Sequence, residues 1–331
     1  MSTVERAHVA VDTTGASLVA DVRHFLLQSP RQLPSRGLYD TLGSALFDAI
    51  CHLPWYPVTR AERRLIAAHR TEILQCAGAP DRLIELGCGN GDKLLLLLGP
   101  AGTFAEHTVR QIDLVDVSSL ALATAARAVG DDRDVIVVTH QQRYEDGAAT
   151  AAASRLPGER FALLFLGSNI GNFDPPGAQA FLDTLHDTLT PGDCLVIGAD
   201  LVKPERELLL AYDDPLGVTA AFNKNLLVRL NREMGGTFEV TKFDHRAVWN
   251  ASESRIEMHL VSRKAQHVDI PAAGLSFDLR AGETIWTESS YKYDPSTFNE
   301  MLRRSGFEPT QHWIDREGQF LLSVAAVDHN A

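Results

Sequence analysis

The stretch Leu83-Ile84-Glu85-Leu86-Gly87-Cys88-Gly89-Asn90-Gly91-Asp92-Lys93 holds the densest pattern of chemistry-bearing residues in the chain. A short apolar run carries one carboxylate, three glycines follow at alternate positions, and Leu94 to Leu98 favours helix. Strand, glycine turn and helix make a nucleotide-binding βα unit, because glycine lets the backbone turn sharply and lie close to a ligand. A dinucleotide fingerprint, G-x-G-x-x-G, needs its third glycine where Asp92 stands. The spacing is instead G-x-G-x-G, which argues against a nicotinamide dehydrogenase. An ordinary tight βα turn uses the same residues.

Two further places could meet a ligand on the same edge of a sheet. Asp116 ends the second predicted strand, where a carboxylate can accept both ribose hydroxyls; a solvated loop aspartate is the plainer alternative. Gly167-Ser168-Asn169-Ile170-Gly171-Asn172-Phe173 follows the fourth strand. Its glycines and amides suit a loop that wraps a ligand, and equally suit a simple turn.

The elements that must position these residues alternate as a doubly wound α/β sheet should. Helices are predicted over 16–28, from Leu38 to Ile50 and over 60–76. The glycine-loop strand follows, then strands at Gln111–Asp116, Asp134–His140, Phe161–Gly167 and Asp193–Asp200. Helices at Ser118–Val129, Ala148–Arg155 and Pro176–Leu189 separate them. The rhythm changes after residue 200. Residues 203–234 read as helical, and 237–290 as three or four antiparallel strands, at Thr237–Asp244, Ile256–Arg263, Val268–Ile270 and Trp286–Tyr291. A helix at Pro295–Ser305 and strands at Phe307–Ile314 and Gln319–Val327 close the chain. The expected division is a Rossmann-like domain over 61–200 and 293–331, with a substrate-binding α+β domain over 16–60 and 201–292. Residues 1–15 are small and polar and are expected to fray.

Composition bounds the function. The 331 residues carry a net charge of −12, which argues against a nucleic-acid partner. Cys51, Cys76, Cys88 and Cys194 are scattered without a C-x-x-C pair, so neither a disulfide framework nor a metal site is expected. No signal pattern and no uncharged apolar stretch of about 18 residues is present, and a cytoplasmic monomer without membrane contact is expected.

The glycine loop, with an acidic residue two positions before it, resembles the first motif of class I S-adenosylmethionine-dependent methyltransferases. Other segments make the resemblance specific: Phe165-Leu166-Gly167-Ser168-Asn169-Ile170-Gly171-Asn172, Ala211-Tyr212-Asp213-Asp214 and Gly217-Val218-Thr219-Ala220-Ala221-Phe222-Asn223. With Leu38-Tyr39-Asp40, Gly43-Ser44, Leu46-Phe47-Asp48, Thr59-Arg60 and Arg255-Ile256-Glu257-Met258, they resemble the L-histidine Nα-methyltransferases of ergothioneine biosynthesis, from about residue 20 to the C-terminus.

The resemblance implies S-adenosyl-L-methionine as cofactor, an amino acid as small-molecule substrate, and trimethylation of histidine to hercynine. It assigns the cofactor to Gly87, Gly89, Lys93 and Asp116, with Lys93 near the methionine carboxylate. After strand three the family has a Gly-Asp-Phe-type turn, whereas this chain reads Thr139-His140-Gln141-Gln142-Arg143-Tyr144-Glu145. There Gln142 would accept the adenine amino hydrogen and Tyr144 would lie against the adenine face.

For the substrate, the resemblance assigns the amino and carboxylate groups to Asn172, Tyr56 and Tyr212, beside Gly167. The imidazole falls to Glu288 and Ser290, with Met258 near the ring and Tyr39 and Phe47 as further substrate-binding residues. Asn172 and Tyr212 would hold the neutral amine towards the sulfonium, with positioning and desolvation supplying most of the rate. No histidine or lysine stands out as a general base, so the proton would leave to water. On residue type alone, Glu288 and Ser290 read as a solvated strand face, Met258 as core, and the two tyrosines as rim. A relative acting on another amine, such as a tryptophan derivative, and a cofactor-binding pseudo-enzyme are the competing readings. Asn169, where threonine is common, bears on the first.

Overall fold

The computed structural model describes residues 14–100, 109–130 and 134–327. Most of the N-terminal stretch expected to fray lies outside them. Two compact units are present: unit 1 comprises residues 58–202 and 293–327, and unit 2 comprises 14–57 and 203–292.

Unit 2 begins with α1 (Thr14–Leu26), β1 (Arg31–Gln32) and α2 (Thr41–His52). Helix α1 buries Leu18, Val22 and Leu26, spaced for one helical face. Asp40 caps α2 by accepting the Gly43 N–H at 2.7 Å. Any side chain at Gly43 would overlap the Leu38 carbonyl, so the chain can fold back here only with glycine. The helix starts at Thr41 rather than at Leu38, and its Leu42 is exposed.

Unit 1 follows with α3 (Pro57–Cys76), β2 (Arg82–Leu86), α4 (Asp92–Leu98), β3 (Gln111–Asp116), α5 (Ser119–Gly130) and β4 (Ile136–Gln141). It continues through α6 (Tyr144–Ala153), β5 (Phe161–Phe165), α7 (Pro175–Thr188) and β6 (Cys194–Asp200). After the excursion into unit 2 it finishes with α10 (Pro295–Arg304), β12 (Phe307–Asp315) and β13 (Phe320–Val327). These strands form one seven-stranded sheet in the order β12-β13-β6-β5-β2-β3-β4. The pairs from β6 to β4 are parallel, while β13 inserts antiparallel between β12 and β6. Strands β2, β5 and β6 are buried at every position, as expected for parallel strands covered on both faces. The core on one side gathers Phe161, Phe165, Phe181, Leu182, Phe298 and Phe307. Strand order reverses beside β2, so the loops after β2, β3, β4 and β5 open at the edge where α/β sheets bind ligands.

One boundary moves with consequence. Helix α6 begins at Tyr144, four residues before the predicted Ala148, because Glu145 and Asp146 suit a first helical turn. Tyr144 is therefore helical rather than part of the preceding turn.

Between Lys203 and Lys292, unit 2 contains α8 (Glu205–Tyr212), α9 (Val218–Met234), β7 (Phe243–Asn250), β8 (Arg255–Ser262), β9 (Gln266–Ile270), β10 (Leu275–Leu279) and β11 (Thr284–Tyr291). A four-stranded sheet runs β1-β11-β8-β7, and β9 pairs with β10 as a separate hairpin. The helical region 203–234 is thus two helices. Asp214 separates them, accepting the Thr219 and Val218 N–H groups at 2.7 and 3.1 Å; burial would raise its carboxyl pKa, but these bonds bring it below the ordinary value.

The strand expected at Thr237–Asp244 begins only at Phe243 and runs on to Asn250 as β7. Phe238 is instead clamped by Asn231, which accepts its N–H at 3.0 Å and donates to its carbonyl at 2.8 Å, and a short 3-10 turn leads into β7. The apolar alternation there anchors a loop. Strand β10, which was not expected, completes the hairpin.

Candidate active site

In unit 1 the glycine loop takes the conformation its residues require. Gly87, Gly89 and Gly91 have φ of 75°, 53° and 81°, a region disfavoured for side chains with a Cβ. Asp116, at the end of β3, accepts the Gly89 N–H at 3.2 Å and the Ser118 N–H at 2.9 Å. Burial raises its pKa, against those two backbone bonds. Nothing lies within 4 Å of the place a Gly89 Cβ would occupy, so the outer face of the loop is open to a ligand.

Behind the loop stands a carboxylate pair. Glu85 is buried, its Oε2 has no hydrogen-bond partner, and its pKa is pushed up to about 8. Burial is the main cause; Lys93 opposes it, while Glu62 and Asp116 reinforce it. Glu62, on the apolar face of α3, is fully buried and lies 2.8 Å from Lys93 Nζ. Its two oxygens accept the Gly167 N–H at 2.8 and 2.9 Å. Lys93, expected near the cofactor's carboxylate, is thus held by Glu62 beside the Gly167 loop.

Gln142 and Tyr144 are placed differently from one another. Gln142 Oε1 is buried without a hydrogen-bond partner. The Tyr144 ring packs edge-on against Phe165 with centroids 5.3 Å apart, and lies about 3.2 Å from where a Gly87 Cβ would stand. It is therefore a wall of the glycine loop. Asn172 ends the short 3-10 turn Asn169–Asn172, and its side chain makes no hydrogen bond among the described residues.

Unit 2 gathers a second set of expected residues. Tyr39, Phe47 and Phe222 pack mutually with centroids 5.5 to 5.9 Å apart. Phe47 meets Tyr56 at 6.4 Å, and Tyr56 meets Tyr212 at 6.1 Å. The Tyr212 hydroxyl lies 2.8 Å from Ser290 Oγ. Glu288 stands opposite Met258 in the β11–β8 register, and shares a face with Ser290 two residues on. That face is not solvated: Glu288, Ser290 and Tyr212 are 8%, 6% and 9% exposed. The Glu288 carboxylate makes no hydrogen bond or ion pair among the described residues, and burial pushes its pKa up to about 7 against the opposing charge of Lys292.

Three residues were missed from sequence. Lys292 Nζ donates to Tyr212 Oη at 2.8 Å and to Ser290 Oγ at 2.9 Å. Its spacing, two beyond Ser290 and four beyond Glu288, was the available signal. Glu62 announced itself as a carboxylate inside an apolar helix stripe. His245 donates from Nε2 to the Tyr212 carbonyl at 2.8 Å and accepts at Nδ1 from Asn223 at 2.9 Å. Burial lowers its pKa, so it is a neutral strut for Tyr212.

A parallel sheet with one antiparallel insertion, a G-x-G-x-G loop after its first sheet strand and an acidic residue after the next define a class I S-adenosylmethionine-dependent methyltransferase. A family model described as "Histidine-specific methyltransferase, SAM-dependent" matches residues 18–327, and the chain belongs to that family. A histidine N-alpha-methyltransferase of Mycolicibacterium smegmatis is 41% identical over 321 residues, spanning 96% of this chain and 97% of the relative. One from Mycobacterium tuberculosis is 38% identical over 320 residues, spanning 96% and 98%. Ergothioneine biosynthesis protein 1 of Neurospora crassa is 28% identical over 290 residues, which span 86% of this chain but 32% of that larger protein. The protein is an S-adenosylmethionine-dependent N-methyltransferase.

Proposed function

We propose that the chain methylates the α-amino nitrogen of L-histidine three times, giving hercynine, in ergothioneine biosynthesis. The observation that carries this reading is the Glu288 carboxylate, buried and unpartnered on the same face as Ser290. A buried acceptor left unmatched costs about 1–3 kcal/mol, so it favours a ligand that brings an N–H and rejects apolar side chains. An imidazole brings one N–H and one bare nitrogen; Glu288 takes the first and Ser290 the second. Met258, Tyr39 and Phe47 enclose the ring, while Tyr56 and Tyr212 hold the amino and carboxylate groups.

S-adenosylmethionine, when bound, supplies an electrophilic sulfonium methyl. The open glycine loop, the unpartnered Gln142 oxygen and the buried Glu85 fit that group. Gly87, Gly89 and Lys93 would hold its methionine end, Asp116 its ribose and Gln142 its adenine amino group. The protein's remaining task is to present an amine with a free lone pair. Tyr212, within unit 2, orients it by accepting an N–H while one remains; on unit 1, Gly167 lacks a side chain because Lys93 Nζ occupies that space.

Incubation with S-adenosylmethionine and a panel of amino acids, followed by mass spectrometry, tests the reading. A gain of three methyls on histidine is expected. Glu288→Ala should weaken histidine use while leaving S-adenosylhomocysteine affinity within about twofold. Methylation confined to another amine would overturn the assignment.

A further inference from the structure

Lys292 belongs to none of the roles above, yet it touches two of the residues that carry them. Its side chain is buried, and its ammonium has only protons to give. The oxygens of Tyr212 and Ser290, 2.8 and 2.9 Å away, must therefore both accept from it. Those oxygens are themselves 2.8 Å apart, so one hydroxyl proton lies between them. If Tyr212 donates it, Ser290 Oγ accepts twice, from Lys292 and from Tyr212, and its own proton must point outward. Ser290 is then a donor standing two residues from the Glu288 acceptor on one strand face.

We propose that Lys292 is a positioning residue for the amino-acid substrate, setting the Tyr212–Ser290 pair so that Ser290 donates beside an accepting Glu288. The inference rests on the histidine reading given above and explains how its ring readers acquire complementary polarity. A ring with one N–H and one bare nitrogen matches that donor–acceptor pair.

The charge of Lys292 has a second effect, on Glu288 itself. The surrounding charged groups are otherwise engaged. On β8, Glu257 pairs with His259 at 3.1 Å and with Arg255 at 2.8 Å. On β1, Arg31 pairs with Glu283 at 3.2 Å. On β7, His245 is neutral and faces Tyr212 and Asn223. Lys292 is the charge that favours the ionised carboxylate against burial.

The test is histidine affinity and turnover from pH 5.5 to 9 for wild type, Lys292→Met and Lys292→Arg, with S-adenosylhomocysteine affinity as the folding control. The substrate's own titrations are common to all three, so differences belong to the protein. For Lys292→Met, the acid limb should move up by about one pH unit or more. Its KM for histidine at neutral pH should rise roughly ten- to a hundredfold, more than kcat falls. Lys292→Arg should return the limb towards the wild-type position and recover part of the KM. An unmoved limb in the Met variant, or an Arg variant as impaired as Met, overturns the inference while leaving the histidine assignment standing. Wild type that binds no histidine overturns both. Where Lys292→Met does not fold, Lys292→Gln removes the charge with less loss of hydrogen bonding, and the same outcomes apply.

Discussion

Glu62 and Lys93 form an ion pair 2.8 Å long, and the same buried carboxylate takes the Gly167 N–H on both oxygens. One side chain on α3 therefore fixes two segments at the carboxyl edge of the sheet: the start of α4 and the loop after β5. Any side chain at Gly198 would collide with Glu62, so β6 leaves room for it with glycine.

Glu62→Ala should consequently damage both stability and cofactor binding. It takes a buried ion-pair partner from Lys93 and the acceptor from the Gly167 N–H at once, and breaking one side of a buried pair costs about 3–5 kcal/mol. Lys93 retains a quarter of its exposure, which places the expected loss near the lower end. Urea unfolding should show it, and S-adenosylhomocysteine titration should show weaker binding. Glu62→Gln, which preserves an acceptor for Gly167, should fall between. A Glu62→Ala protein with wild-type unfolding and binding would refute the role.

Glu85 gives the protein a pH dependence with a definite sign. Its carboxyl titrates at about 8 in the folded chain, against an ordinary value of 4.5. Between those values the folded state keeps a proton that the unfolded state has lost. Stability therefore falls as pH rises from about 4.5 to about 8 and is level above. Glu288 adds the same sign over a window ending near 7. Unfolding free energies at pH 5, 6.5 and 8 should decline in wild type, and decline less in Glu85→Gln. Parallel declines in the two proteins would remove Glu85 as the source.

What the sequence revealed follows from how each element is stabilised. Buried parallel strands are continuous apolar runs, so Gln111–Asp116 is found with both ends correct, and the glycine loop is legible because its backbone tolerates few other residues. Strand β10 is half exposed and lacks such a run, and Phe238 mimics strand alternation while plugging a loop. The face bearing Glu288 and Ser290 looks solvated because residue type reports average burial. Its cover comes from elements distant in sequence, including Tyr212, 78 positions before Ser290. Lys292 is illegible in the sequence for the same reason.

The strut beneath Tyr212 can be removed without touching the site. Asn223→Ala takes the donor from His245 Nδ1, leaving a buried acceptor unmatched at a cost of about 1–3 kcal/mol. His245 should then hold the Tyr212 carbonyl less firmly. The KM for histidine should rise several-fold while S-adenosylhomocysteine affinity stays unchanged. Equal losses for both ligands would mean that Asn223 serves global stability alone.

Gln142 should show stability and binding moving in opposite directions. Its Oε1 is buried with no partner, an unmet acceptor in the protein without ligand. Replacing it by leucine removes that desolvated oxygen, so Gln142→Leu should unfold at an equal or higher denaturant midpoint. The same change deletes the acceptor assigned to the adenine amino group, and a hydrogen bond of about 1–1.5 kcal/mol corresponds to roughly tenfold weaker cofactor binding. An S-adenosylhomocysteine analogue with oxygen in place of that amino group separates this from a general loss of packing. Wild type should discriminate against the analogue by the cost of turning the Gln142 amide to donate, whereas Gln142→Leu should discriminate less. Undiminished discrimination in the variant would transfer adenine recognition to another part of the loop after β4.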